Sequence, residues 1–77
     1  MKVAVVAEST ETSRRVIARL GMVGKATPLA LGVTPLSGHY FTAVLRIPTS
    51  SFTSKDQSWW TDLLARTKGP VFRLEEE

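Results

Sequence analysis

The stretch Leu29-Ala30-Leu31-Gly32-Val33-Thr34-Pro35-Leu36-Ser37-Gly38-His39-Tyr40-Phe41-Thr42-Ala43-Val44-Leu45-Arg46-Ile47 decides how this chain is read. Its first five residues, bounded by Pro28 and Pro35, read as a strand, and prolines that remove ladder donors place such a strand at a sheet edge. Ser37-Gly38 is turn material. From His39 to Ile47 the residues alternate, with Phe41, Ala43, Leu45 and Ile47 on one side and Tyr40, Thr42, Val44 and Arg46 on the other. The expectation is two strands joined by a turn, the first set facing the core and the second facing water.

Before this stretch, Val3-Ala4-Val5-Val6-Ala7 is an apolar run without alternation, which fits a strand inside a sheet. Ser9 or Thr10 then offers a cap oxygen, Glu11 suits the positive end of a helix, and Val16, Ile17, Leu20 and Val23 recur at helical spacing. Gly21 and Gly24 close that helix. After the stretch comes a loop over Pro48–Ser51, and Ser54-Lys55-Asp56-Gln57 has the form of a capping box. A second helix follows over about Lys55–Thr67, with Trp59, Trp60, Leu63 and Leu64 on its apolar arc and Asp62 four residues before Arg66. Gly69-Pro70 stops it, and Val71-Phe72-Arg73-Leu74 reads as a last strand.

The order β-α-β-β-α-β suggests an α+β domain with a ferredoxin-like antiparallel sheet. In it the first and third strands lie at the centre and both helices cover one face. At 77 residues there is room for one domain. Residues 1–74 are expected to form it, and Glu75-Glu76-Glu77 to form an acidic tail. A chain this short buries only about 60% of its unfolded surface, so each apolar stripe is first suspected of being core.

Composition removes many functions. There is no cysteine and one histidine, His39, which excludes disulfides, thiolate chemistry and multi-histidine metal sites. No metal or other cofactor is expected. The N-terminal apolar run is too short for a signal peptide, and no stretch approaches the ~18 apolar residues of a membrane span. A soluble, cytoplasmic protein with no membrane partner is the expectation. Ten Lys and Arg face seven Asp and Glu, a formal +3. With the tail set aside, ten bases face four acids, while Ala26 to Leu45 carries no formal charge.

The loop Ala7-Glu8-Ser9-Thr10-Glu11-Thr12-Ser13 joins a strand to a helix, where phosphates bind in other folds. It lacks glycine and carries two glutamates, so neither a Walker nor a dinucleotide fingerprint is present. Acylphosphatases share the element order, but they need an arginine in this loop and an asparagine elsewhere; this chain has neither. RNA-recognition motifs stack bases on strand aromatics. Residues 37–44 keep a glycine and one aromatic of such a motif, and the first strand has no aromatic. Glu8, Glu11, Asp56, Asp62 and His39 form no catalytic set by spacing, so no catalytic residue is named and the chain is expected not to be an enzyme.

What remains is binding. An uncharged segment resembles the centre of a protein interface, and tryptophan is favoured as an anchor there. The leading expectation is a small non-enzymatic inhibitor or adaptor that covers a site on a larger protein or complex through Leu29, Leu31, Val33, Leu36, Tyr40 and Trp59. Small cysteine-free inhibitors of phages and other mobile elements, anti-CRISPR proteins among them, are similar in size and style, with no shared motif. A second expectation is nucleic-acid binding through Arg14, Arg15, Arg19, Lys25 and Arg46. A third is a ferredoxin-like ligand-sensing domain that dimerises through its edge strand; across the three readings the chain is expected to be a monomer or an edge-strand homodimer.

Overall fold

Val3–Ala7 forms strand β1, and all five residues are buried. A strand apolar at every position has no side to offer to water, so it lies in the sheet interior with cover on both faces. The computed structural model describes residues 2–48 and 53–74. The loop expected over Pro48–Ser51 lies outside these apart from Pro48, as does the tail at Glu75–Glu77. After β1 come helix α1 (Thr10–Arg19), strands β2 (Ala26–Ala30) and β3 (Ala43–Arg46), helix α2 (Ser54–Ala65) and strand β4 (Val71–Arg73).

The order of elements follows the sequence reading, but the pairing overturns the ferredoxin-like sheet. The sheet runs β2-β1-β3-β4 and every neighbouring pair is parallel. The domain still combines helices with a sheet, and β1 and β3 do lie side by side at its centre. The antiparallel arrangement does not exist among the described strands.

The error lies in the link from β2 to β3. Parallel strands need a crossover of about a dozen residues, whereas a hairpin needs about two. Residues 31–42 supply twelve, and they cross over β1. At the crossover's start the Leu31 N–H donates to the Ala7 carbonyl at 2.8 Å, and the Thr34 hydroxyl accepts from the Ala30 N–H at 2.8 Å. Leu31, Leu36 and Phe41 are buried along its course. Ser37-Gly38 is a turn inside the crossover, and no hairpin closes on it. The alternation read at His39–Ile47 also misled, because Val44 was assigned to the wet side and is fully buried. Val44 faces the side that α2 and the crossover cover, so that side of β3 is not wet.

Two cores follow, one on each face of the sheet. Ala4 and Val6 pack with Leu29, Leu36, Phe41, Val44, Trp60 and Leu63, so α2 and the crossover share one face. Val5 and Ala7 pack with Val16, Ile17 and Ile47, which puts α1 on the other. The helices therefore lie on opposite faces, correcting the expectation of one shared face. The right-handed crossover rule requires this, because β1 to β2 and β3 to β4 step across the sheet in opposite directions.

Local chemistry seats each helix. Ser9 caps α1, its hydroxyl accepting from the Thr12 N–H at 3.2 Å. Ser13 is fully buried and donates to the Leu29 carbonyl at 2.7 Å, a polar contact that ties α1 to β2. The capping box of α2 starts at Thr53, one residue earlier than read: Thr53 and Asp56 exchange bonds of 3.2 and 3.1 Å. Trp60 is buried, whereas Trp59 is half-buried and donates its indole N–H to the Thr34 carbonyl at 2.7 Å. Gly32, at φ +73°, lies against the Asp56 carboxylate, so the crossover and the start of α2 touch where only glycine fits.

The return from α2 is equally tight. Phe41 N–H donates to the Arg66 carbonyl and Lys68 N–H to the Phe41 carbonyl, both at 2.9 Å. A Cβ added to Gly69 would collide with the Thr42 carbonyl oxygen, a backbone atom that cannot swing aside. Gly69→Ala should therefore cost about 1–3 kcal/mol through overpacking. The check is urea denaturation: the midpoint should fall with an unchanged slope, while Lys55→Ala on the exposed side of α2 leaves it in place.

Candidate functional site

In open parallel sheets ligands sit beyond the carboxyl ends of the strands, where the strand order reverses. Here that point lies between β1 and β3. The adjoining turn of Glu8, Ser9 and Thr10 spends its polar atoms on itself, for Ser9 Oγ meets both the Thr12 N–H and, at 3.0 Å, the Thr12 hydroxyl. At the end of β3 the Arg46 guanidinium lies 4.8 Å from the Trp60 ring centre, a cation–π contact on the α2 face. Arg46 is in register with Arg73 of β4. Nothing in this turn cradles a phosphate.

The residues expected to form a protein interface divide into two groups. Leu29 is 1% exposed, and Leu31 and Leu36 are also core, so none of the three reaches a partner without unfolding the sheet. Val33 and Tyr40 are 74% and 64% exposed. Trp59 is committed by its indole bond to the crossover. The uncharged segment is thus largely accounted for by its passage across one face of the sheet.

The basic set divides as well. Arg14, Arg15 and Arg19 on α1 and Lys25 after it are all exposed on one side of the sheet. Arg46 is half-buried on the opposite face, under α2. The acids show no catalytic arrangement: Asp56 serves the cap of α2, and Asp62 accepts from Arg66 at 3.1 Å. His39 Nδ1 lies 3.3 Å from Lys2 Nζ, and its ring stacks parallel to Phe41 at 6.1 Å. A lysine ammonium only donates, so Nδ1 is the acceptor. Among the described residues no group of three or more His, Cys, Asp or Glu could hold a metal, and no helix is long and apolar enough to cross a membrane.

One surface was not foreseen. α1 lies against β1 and β2, leaving the β3–β4 half of that face without a helix among the described residues. Leu45 is only partly buried there, and its register partner Phe72 is 52% exposed. Val71, the preceding residue of this edge strand, is exposed on the opposite face, in register with Val44. The only signal in the sequence was Val71-Phe72-Arg73-Leu74, too short a run for alternation to say which side would be covered.

Comparison of the chain with protein-family models, with curated proteins and with solved structures finds no match.

The division of the uncharged segment into core and surface is open to measurement. Leu29→Ala should cost about 2–5 kcal/mol as a large-to-small core change, whereas Val33→Ala should stay within about 0.5 kcal/mol. Chemical denaturation of the two variants beside the parent chain provides the comparison; equal losses would contradict the assignment.

Proposed function

We propose that this chain is a small non-enzymatic binding protein that acts as an inhibitor or adaptor by covering a site on a larger protein. The partner meets it across the β3–β4 side of the sheet, with Phe72 and Leu45 at the centre. The observation that carries this reading is the β3–β4 part of the α1 face, over which no helix lies among the described residues. All-parallel sheets occur almost only with both faces covered, and here half of one face presents a phenylalanine to solvent. About half of Phe72 is still exposed, so burying the rest would contribute about 0.8–1.6 kcal/mol, on the scale of one interface contact.

The edges of the sheet favour the same side. β2 contains Pro28, which lacks an N–H and makes that edge a poor template. β4 has no proline between Val71 and Arg73. The cysteine-free composition suits a reducing compartment, and we assign this role to the cytoplasm on that ground. Nucleic-acid binding through Arg14, Arg15, Arg19 and Lys25 is the second reading, supported by their shared exposure on and just after α1.

An affinity capture from native host lysate separates the two readings. It uses the parent chain, Phe72→Asp and an Arg15→Glu/Arg19→Glu pair, with and without nuclease and at raised salt. The expected result is a discrete protein that survives nuclease and salt, falls about tenfold with Phe72→Asp and changes little with the arginine pair. Unchanged circular dichroism of Phe72→Asp would show that the fold is intact. Recovery that disappears with nuclease or salt would transfer the function to α1, because phosphate contacts weaken steeply as salt rises.

A further inference from the structure

Two distant segments meet the amino-terminal end of β3, one bringing Lys2 and the other Arg66 and Lys68. Thr42 N–H donates to the Lys2 carbonyl at 2.7 Å, and Lys2 N–H donates to the Thr42 hydroxyl at 3.1 Å. Phe41 is held on its other side by Arg66 and Lys68 through two backbone bonds of 2.9 Å. A cleft of about 330 Å³ opens here, lined by Tyr40, Phe41, Thr42 and Lys68. The Arg66 guanidinium lies 5.8 Å from the Tyr40 ring centre and the Lys2 ammonium 5.2 Å from that of Phe41.

The chemistry of this cleft is specific. Lys68 lines it, Lys2 and Arg66 lie over the rings of Phe41 and Tyr40 that form its wall, and Arg66 is paired with Asp62. Tyr40 is 64% exposed beside these cations. An exposed aromatic ring beside a positive groove is the arrangement that binds single nucleotides and strands, with the ring stacking a base and the cations meeting the phosphate. The volume lies in the range of small-ligand sites, about 300–1,000 Å³.

We propose that this cleft binds a nucleotide, its base against Tyr40 and its phosphate at Lys68 and Lys2, either free or as one unit of a single strand. The cleft is built from residues other than Leu45 and Phe72, so the inference stands apart from the protein-binding reading. It also differs from the basic helix, because none of its residues belongs to α1. An apolar ligand would leave Lys68 unused, and inorganic phosphate alone would leave the tyrosine unused.

The test is calorimetric titration of the whole protein with adenosine monophosphate, inorganic phosphate and a short single-stranded oligonucleotide. Saturable binding is expected for the two probes that carry a base, weaker for phosphate, and reduced by added salt. Tyr40→Ala and Lys68→Glu should each lower affinity about tenfold, and Arg15→Glu should not. Lys68→Gln provides the same readout if charge reversal disturbs the fold. An oligonucleotide that binds more tightly than the mononucleotide identifies a strand as the source, and equal affinities identify the free nucleotide. The proposal is overturned if neither base-carrying probe saturates by about millimolar concentration. It is also overturned if phosphate binds as tightly as the nucleotide, or if affinity follows Arg15 instead of Tyr40 and Lys68.

Discussion

The burial of β1 on both of its faces is the constraint to which the other elements answer. Five consecutive apolar residues, each 7% exposed or less, leave no side on which water is tolerated. Parallel neighbours complete the strand's backbone hydrogen bonds, and two separate layers must then shield its alternate side chains. α1 supplies one layer through Val16 and Ile17. The crossover and α2 supply the other through Leu36, Phe41, Trp60 and Leu63. Among the described residues two helices supply this cover, and neither lies over β3 and β4 on the α1 side.

Much of this was legible in the residues. The unbroken run at Val3–Ala7 marked an interior strand, Ser9 or Thr10 marked the start of α1, and Trp60 and Leu63 on the apolar arc of α2 are buried as their spacing implied. The Asp62–Arg66 pair also forms as its spacing implied. The pairing direction was harder to see, because a turn dipeptide at Ser37-Gly38 looks the same inside a crossover as at the tip of a hairpin. What distinguishes the two is the fate of Leu31, Leu36 and Phe41, which depends on the whole sheet.

The candidate sites were less legible for the same reason. An uncharged stretch looks alike whether it covers a partner or its own sheet, and here most of it covers the sheet through Leu29, Leu31 and Leu36. The cations at the cleft and its wall stand at positions 2, 66 and 68, and only the backbone bonds of Phe41 and Thr42 unite them. No window along the sequence contains that cluster. Arg46 shows the opposite case, since its place in the chain suggested an exposed contact and its guanidinium instead rests on Trp60.

The parallel arrangement also governs how the chain reaches this structure. No two strands that are neighbours in sequence pair with each other through a hairpin. Val3 must find Ala26, twenty-three residues on, and Ala43, forty residues on, while Val44 must find Val71, twenty-seven residues on. Each pairing closes a long loop before its contacts return any stability, and folding rates fall as the mean sequence separation of contacts rises. For so small a protein the search is slow. Until β1 has gathered both its neighbours, its apolar run stays open to other chains, so folding and aggregation compete for the same five residues.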